Sequence, residues 1–494
     1  MRAAPASATR SGVAFGPRPG PFRVSAMKKA TVHMVSLGCP KNRVDSEVML
    51  GLAVQRGFQV VDDPALAEVI VVNTCGFIDA AKRESIDTIL GLAKHKQRGT
   101  CKRLVVTGCL VQRYADELAA ELPEVDHLLG SGDVMQIGSA LDGSATRVAV
   151  GDRAGYLLQS THPRVLSTGP VSAYVKIAEG CDRRCAFCVI PQIRGRHRSR
   201  TADDIVAEVQ AMAAQGILEV NLVSQDTIGF GRDLGLSPQQ ALADLVSRVA
   251  DVPGIRWVRL LYLYPDALDD ALLDLLANHP RVVPYVDMPM QHASDEILRR
   301  MRRGHTRARL AKTIERLRHR VPSVTIRTAF IVGFPGETER HFQDLCDFVQ
   351  EFELERVGVF RYSDEEGSAS AAFDGKVPRR VSYDRARHLM ALQRRISRKL
   401  NRRLVGTRVQ VLVEGASEEH EYVLEGRHAG QAPDIDGQIW FTDSDVQAGE
   451  LWEAQVARAT DYDLVVRVVG DHPLATSRKR PPGTRRSLPV LNAP

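Results

Sequence analysis

Three times between residues 31 and 110 an apolar run ends on a cysteine: VSLGC at Val35–Cys39, VVNTC at Val71–Cys75 and VVTGC at Val105–Cys109. The runs Val32–Leu37, Glu68–Val72 and Leu104–Val106 read as strands. The segments Val44–Arg56, Ala80–His95 and Gln112–Ala120 read as helices. Strands alternating with helices predict a parallel α/β sheet. Successive units of such a sheet bring their strand ends to one edge, where ligands bind. Cys39, Cys75 and Cys109 lie 36 and 34 residues apart and are therefore expected to meet in space. Three unrelated buried thiols are the alternative, because free cysteine is among the most buried residue types. The repeated context speaks against that. Three converging thiolates suit an iron–sulfur cluster with one open iron.

The alternation resumes with strand candidates at Tyr174–Ile177, Glu219–Leu222, Trp257–Leu261, Val282–Val286, Thr325–Val332 and Arg356–Phe360. Helices fall between them, for example Ala202–Gln215 and His341–Phe352. Repeated βα units predict a barrel or partial (β/α)6 barrel. Cys181, Cys185 and Cys188 follow directly after the first of these strands, at the mouth where barrel chemistry sits. Three cysteines in eight residues fit either a zinc site, with His197 as a fourth ligand, or a four-iron cluster with an open iron. The location favours the cluster. Cys101 and Cys346 fit neither group and read as packing residues.

The chain divides into an unstructured extension (1–30), the α/β domain (31–143), a linker (144–170), the barrel domain (171–404), a region with alternation of period two (405–470) and a basic disordered tail (471–494). The barrel domain ends in a basic helix, Ser382–Leu404. The period-two region, with Val409–Val413, Tyr422–Leu424, Ile439–Thr442 and Glu453–Ala457, predicts a small antiparallel β-barrel. The first 26 residues carry four arginines and no acid, as a transit peptide would. A start placed too early is the alternative, since Met27 precedes the first patterned residue. No apolar run approaches the length of a membrane span, which excludes an integral membrane protein. Eight cysteines in 494 residues are too sparse for a disulfide scaffold. A reducing, cytoplasmic setting is expected.

Cys181-x-x-x-Cys185-x-x-Cys188, with Phe187 before the last cysteine, resembles the signature of the radical S-adenosylmethionine (SAM) enzymes. With the separate N-terminal triad, most of Thr31–Gly470 resembles the methylthiotransferases, and the C-terminal barrel looks like a TRAM domain. The resemblance implies two [4Fe–4S] clusters, one on Cys39, Cys75 and Cys109 that handles sulfur and one on Cys181, Cys185 and Cys188 that binds SAM. A second SAM supplies the methyl, and C–H becomes C–S–CH3. Phe187 belongs to the signature, and Ser224, Gln225 and Asp226 resemble the family segment that touches the SAM amino group, a polar turn being the alternative. Arg327, as a cation starting a strand, is a candidate to pair with the SAM carboxylate, and the Gly/Pro loop from Gly333 to Glu337 reads as a close backbone approach to the ligand or as a plain turn. Gln291 and His292 follow a barrel strand and are candidates to line the site, with a satisfied structural histidine as the equal alternative. The resemblance leaves any catalytic residue unassigned.

The family splits between tRNA adenosine modifiers and a branch that modifies an aspartate β-carbon in the twelfth small-subunit ribosomal protein. SLGCPKNRVDSE (Ser36–Glu47), SQDTIGFG (Ser224–Gly231) and APDIDG (Ala432–Gly437) resemble the second branch. Charge points the same way. Residues 405–470 hold 13 acids, four arginines and no lysine, which repels RNA phosphates and attracts a basic protein. Two basic stretches, Leu298–Arg320 with ten Lys/Arg and Lys376–Arg403 with eleven, read as solvated helix faces or as contacts to ribosomal RNA on an assembling small subunit. A reductant and a sulfur donor are further expected partners. The alternatives are a tRNA methylthiotransferase and, outside enzymes, a metal-containing adaptor that binds ribosomes.

Overall fold

β1 (Thr31–Ser36), β2 (Gln59–Val60), β3 (Val69–Thr74), β4 (Arg103–Gly108), β5 (His127–Gly130) and β6 (Val148–Ala149) form one parallel sheet in the computed structural model, in the order β2-β1-β3-β4-β5-β6. The structure describes residues 29–238, 240–265, 268–417, 423–442, 446–477 and 490–491. The expected extension over 1–30 lies almost wholly outside the described residues, as does Tyr422. β3 is buried at every position, which fits a parallel strand covered on both faces. Helices α1 (Pro40–Gln55), α2 (Asp79–Arg98), α3 (Cys109–Glu121) and α4 (Ile137–Asp142) cover the sheet. α1 begins at Pro40, four residues before the expected Val44. Proline is pre-organised for the first helical turn, where its missing N–H is no loss. α3 likewise begins early, on Cys109 itself.

The segment 144–170 is more than a linker. β6 joins the first sheet, and β7 (Arg164–Val165) is fully buried. The second sheet has the order β15-β14-β13-β12-β11-β8, with every pair parallel. Its strands are β8 (Ser172–Lys176), β11 (Glu219–Val223), β12 (Trp257–Leu260), β13 (Val282–Asp287), β14 (Thr325–Val332) and β15 (Arg356–Arg361). A short antiparallel pair, β9 (Ala178–Glu179) and β10 (Arg198–Ser199), flanks the cysteine loop. β8 and β15 pair with one neighbour each among the described residues, so the barrel is open. Around it run α5 (Ile190–Arg194), α6 (Ala202–Ala214), α7 (Ala241–Ala250), α8 (Asp270–Asn278), α9 (Asp295–Arg300), α10 (Arg307–Arg320), α11 (Glu339–Phe352) and the long α12 (Arg379–Leu404).

The last domain closes on itself. β16 (Arg408–Ala416), β17 (Leu424–His428), β18 (Ile439–Phe441), β19 (Glu450–Ala459) and β20 (Leu464–Val468) run in the order β16-β17-β18-β20-β19, and β19 returns to β16. One pair, β18 with β20, is parallel in this otherwise antiparallel barrel. Part of the expected disordered tail is ordered. β21 (Ala475–Thr476) extends the barrel sheet and β22 (Val490–Leu491) pairs with β7. Both supply backbone partners to edges that would otherwise stay unpaired.

The domains share a core. Val32, Val71 and Val105 of the first sheet, Val44 and Val48 of α1, Tyr174, Trp257 and Tyr285 of the second sheet, and Leu412 of the small barrel belong to one buried apolar cluster. Polar groups cross the same boundary. Arg164, 1 % exposed, donates to Glu47 of α1 at 2.7 Å, to Glu208 of α6 at 2.5 Å and to the Tyr174 carbonyl at 2.6 Å. Removing one partner of a buried ion pair strands the others, at about 3–5 kcal/mol. Arg164→Met should therefore shift the denaturant midpoint by a free energy of about that size. An unchanged midpoint would show the pairing to be energetically idle.

Candidate active site

The N-terminal triad is built from three strand-to-helix turns that touch through glycine. Gly38 has φ +91°, and a Cβ there would lie 2.8 Å from the Cys75 Cβ. A Cβ on Gly76 would lie 2.7 Å from the Cys109 carbonyl. Gly108, at φ +100°, packs against Asn73 and Thr74. Only glycine takes these backbone conformations without penalty while allowing such close approach. Asn42, in the first turn of α1, ties the turns together. Its Nδ2 donates to the Leu37 carbonyl at 3.1 Å and the Thr74 carbonyl at 2.9 Å, and its Oδ1 accepts from the Cys109 thiol at 3.5 Å. Arg194 of α5, from the second domain, also donates to that Oδ1.

The second triad lies in the loop between β9 and α5. Backbone N–H groups of Arg183 and Ile190 donate to the sulfurs of Cys181 and Cys188, each at 3.4 Å. The Arg303 guanidinium donates to the Cys185 sulfur at 3.4 Å and to the Pro289 carbonyl at 2.7 Å. Phe187 packs beside the buried cluster of Ala186, Ile297, Met301 and Phe334.

All six cysteines line one cavity of about 440 Å³. Its apolar wall includes Phe77, Ile78, Phe187, Leu263 and Ile331. Lys41, Arg183, Arg194 and Arg303 supply cations to it. Burial pushes the Cys75 and Cys188 thiols up to about 12 and the Cys181 thiol to about 11, with neighbouring thiols adding to each shift. Burial also raises Cys109. The bare thiols would stay neutral at pH 7, whereas a coordinated metal deprotonates a thiol outright. Three soft donors at each of two places, flanked by N–H donors to sulfur, fit iron–sulfur ligation. Among the described residues no three His, Cys, Asp or Glu side chains converge closely enough for a single metal ion. His197 stands outside the cavity, 3.1 Å from the Ser199 hydroxyl, and does not complete a zinc set.

The expected SAM contacts divide. Phe187, Gln225 and Asp226 line the cavity. Gln225 donates to Glu179 at 2.7 Å, and Asp226 accepts from Arg183 at 2.7 Å. Gln291 lines it as well, with φ +73°. Ser224, Arg327, Gly333, Glu337 and His292 do not line it. Ser224 is buried against Thr227. Arg327 sits near the start of β14, away from the carboxyl end, and pairs with Asp287 at 2.7 Å. The Glu337 carboxylate accepts from the Gly333 and Phe334 N–H groups and pairs with Arg385 at 2.9 Å, so that turn is internally satisfied. Burial, then the nearby His341 and Arg385, push His292 down to about 3, as suits a neutral core histidine. Cys101 and Cys346 are buried away from the cavity.

Lys41, Arg183, Arg194, Arg303 and Tyr262 escaped the sequence reading, because only their tertiary neighbours mark them. Tyr262 has φ +61°, strain of the kind that gathers at functional sites. The Lys41 ammonium lies 3.2 Å from the centre of its ring. Burial opposes the Lys41 charge, but the Tyr262 phenol, Cys39 and Asp287 outweigh it and hold the pKa above the ordinary lysine value.

The model of the Radical SAM superfamily matches residues 175–349 and that of the TRAM domain residues 405–469. The model described as uncharacterized protein family UPF0004 matches residues 31–130. The ribosomal protein uS12 methylthiotransferase RimO of Sorangium cellulosum is 59 % identical over 460 residues, covering 92 % of this chain and 94 % of that one. Its namesakes in Anaeromyxobacter sp. (strain K) and Geobacter sulfurreducens are 51 % and 45 % identical, covering 92 % and 89 % of this chain and 96 % and 99 % of theirs. The radical SAM methyltransferase TsrM of Kitasatospora setae matches with a TM-score of 0.52 at 17 % identity, over 68 % of this chain and 75 % of that one. That likeness concerns the fold.

Gly38→Ala combines a left-handed backbone with a Cβ 2.8 Å from Cys75. It should destabilise the chain by more than about 1 kcal/mol and expose Cys75. A lower denaturant midpoint and faster alkylation of Cys75 in the metal-free protein would register both.

Proposed function

This chain belongs to the RimO family of ribosomal protein uS12 methylthiotransferases, and on that premise we propose that it converts a C–H bond at the β-carbon of an aspartate in uS12 to C–S–CH3. It is a radical SAM enzyme that transfers a sulfur-containing group, and its cofactors are SAM and [4Fe–4S] clusters. The observation that carries the residue assignment is the single cavity faced by both cysteine triads. Cys181, Cys185 and Cys188 would hold the SAM cluster, and Cys39, Cys75 and Cys109 the sulfur-handling one. Once bound, these groups supply a carbon radical that takes hydrogen from an unactivated C–H bond, together with the sulfur and methyl that replace it.

The protein's own part is placement. Phe77, Ile78, Leu263 and Ile331 exclude water from the cavity between the triads. Gln225, anchored on Glu179, and Asp226, anchored on Arg183, present polar atoms at the carboxyl end of β11 for SAM. Arg194 and Arg303 stand beside the two triads and offset thiolate charge.

The ribosomal protein is favoured over tRNA by the relatives' names and by the acidic composition of residues 405–470, which would repel phosphate. We place the reaction in the cytoplasm. No helix among the described residues is long and apolar enough to cross a membrane. A contact to ribosomal RNA would use cations of α10 and α12 such as Lys312, Arg387 and Arg395, which form no ion pair among the described residues. Arg307, Arg316, Arg318 and Arg320 already pair with acids of α8, α11 and the turn after α11. Reversing several of the remaining charges should flatten the salt dependence of small-subunit binding. A reductant and a sulfur donor complete the turnover.

Anaerobic reconstitution should give brown protein with about eight irons per chain. Cys185→Ala should abolish 5′-deoxyadenosine formation, and retained formation would refute its assignment. Cys75→Ala should keep SAM cleavage but stop methylthio transfer. Incubation with uS12 and, separately, with tRNA should give a mass gain on the protein alone.

A further inference from the structure

Lys41 is the feature of the cavity that the cluster assignments do not use. It lies two residues after Cys39, in the first turn of α1, and lines the cavity while only 6 % exposed. A buried ammonium is costly unless it is paired. Of the other cavity cations, the equally buried Arg194 and the half-buried Arg183 have carboxylates, while the half-buried Arg303 is held by the Cys185 sulfur and the Pro289 carbonyl. Arg194 pairs with Asp45 at 2.7 Å, and Arg183 with Asp226 at 2.7 Å. Lys41 forms no ion pair with a carboxylate among the described residues. Its contact is the face of Tyr262, 3.2 Å to the ring centre. The nearby Asp287 is already engaged by Arg327 at 2.7 Å and by the Tyr262 N–H at 3.0 Å. A charged donor held on an aromatic face in a cavity, with no carboxylate in ion-pair contact among the described residues, is a receptor for an anion that arrives.

We propose that Lys41, backed by Tyr262, binds the side-chain carboxylate of the substrate aspartate and thereby selects that residue. The inference rests on the function proposed above. The carboxylate carbon is bonded directly to the β-carbon, so an ion pair at the carboxylate fixes the reacting carbon one bond away. That is the positioning a hydrogen abstraction needs. SAM also carries a carboxylate, but Lys41 comes from the N-terminal domain beside Cys39. The SAM triad has its own cation in Arg303, 3.4 Å from the Cys185 sulfur.

The test uses reconstituted full-length enzyme, wild type, Lys41→Met and Lys41→Arg. Anaerobic binding is measured for uS12 and for uS12 with asparagine at the target aspartate. Wild type should bind the aspartate form about 10- to 100-fold more tightly, the worth of a charged hydrogen bond. Lys41→Met should bring that ratio near one while iron content and SAM affinity stay unchanged. Lys41→Arg should restore the preference. A wild-type ratio of one overturns the proposal without recourse to any variant, and so does Lys41→Met with an intact ratio. Loss of iron in Lys41→Met would assign the charge to the cysteine triad, and loss of SAM affinity would assign it to the SAM carboxylate. Either result defeats the proposal. Preferential binding of the aspartate form with no mass gain would instead defeat the functional reading and leave Lys41 as a carboxylate receptor.

Discussion

A ladder of buried charge along α1 joins the two halves of the site. Asn42 meets Arg194, Asp45 meets Arg194 and Lys176, and Glu47 meets Arg164. The cations all come from β7, β8 and α5, outside the first sheet. Each of these side chains is almost wholly buried, so none has water as an alternative partner. A displaced α1 would leave several charges unpaired in a medium that does not solvate them. The seam therefore specifies one docking of the N-terminal domain on the barrel mouth. That docking is what lets triads about 72 residues apart in sequence, measured from Cys109 to Cys181, open into the same cavity.

The same seam reaches towards both triads. Arg194 touches Asn42, which holds the Cys109 thiol. Glu179 receives Lys176 at 2.6 Å and Gln225 at 2.7 Å, and Gln225 faces the cavity. The Lys176 and Arg194 cations outweigh the effect of burial and hold the Glu179 carboxyl down at about 2. It stays ionised through the ordinary pH range and keeps its partners in place. Acids in this region are neutralised within the protein, so the cations facing the cavity set its sign. An interior of that sign suits ligands that are anionic, as a carboxylate or a thiolate-bound cluster is.

The βα alternation made both sheets legible in the sequence, because parallel strands buried on both faces write near-continuous apolar runs. The period-two pattern did the same for the small barrel. Boundaries were less legible. α1 opens on Pro40 and α3 on Cys109, since neither N-cap, Cys39 nor Gly108, is a side-chain capping residue that marks a helix start in the sequence. β6 and β7 are two residues each and carry no period to read. Among the expected SAM contacts, Gln225 and Asp226, polar residues that follow a strand, line the cavity. Arg327 was misplaced because its charge was weighed and its place on the strand, near the start of β14 and away from the cavity, was not.

The sequence by itself determined the cysteine spacings, the βα order that sends strand ends to one edge, and the glycines that permit the turns. These are local, and one residue's neighbours in the chain suffice to specify them. Only the tertiary structure decided that the two triads share a cavity, that Arg194 and Arg303 serve them, that Glu337 turns inward to Arg385, and that Lys41 forms no ion pair with a carboxylate among the described residues. Those facts depend on which side chain takes which partner when chains of charge are buried together, and partners so distant in sequence are chosen by packing.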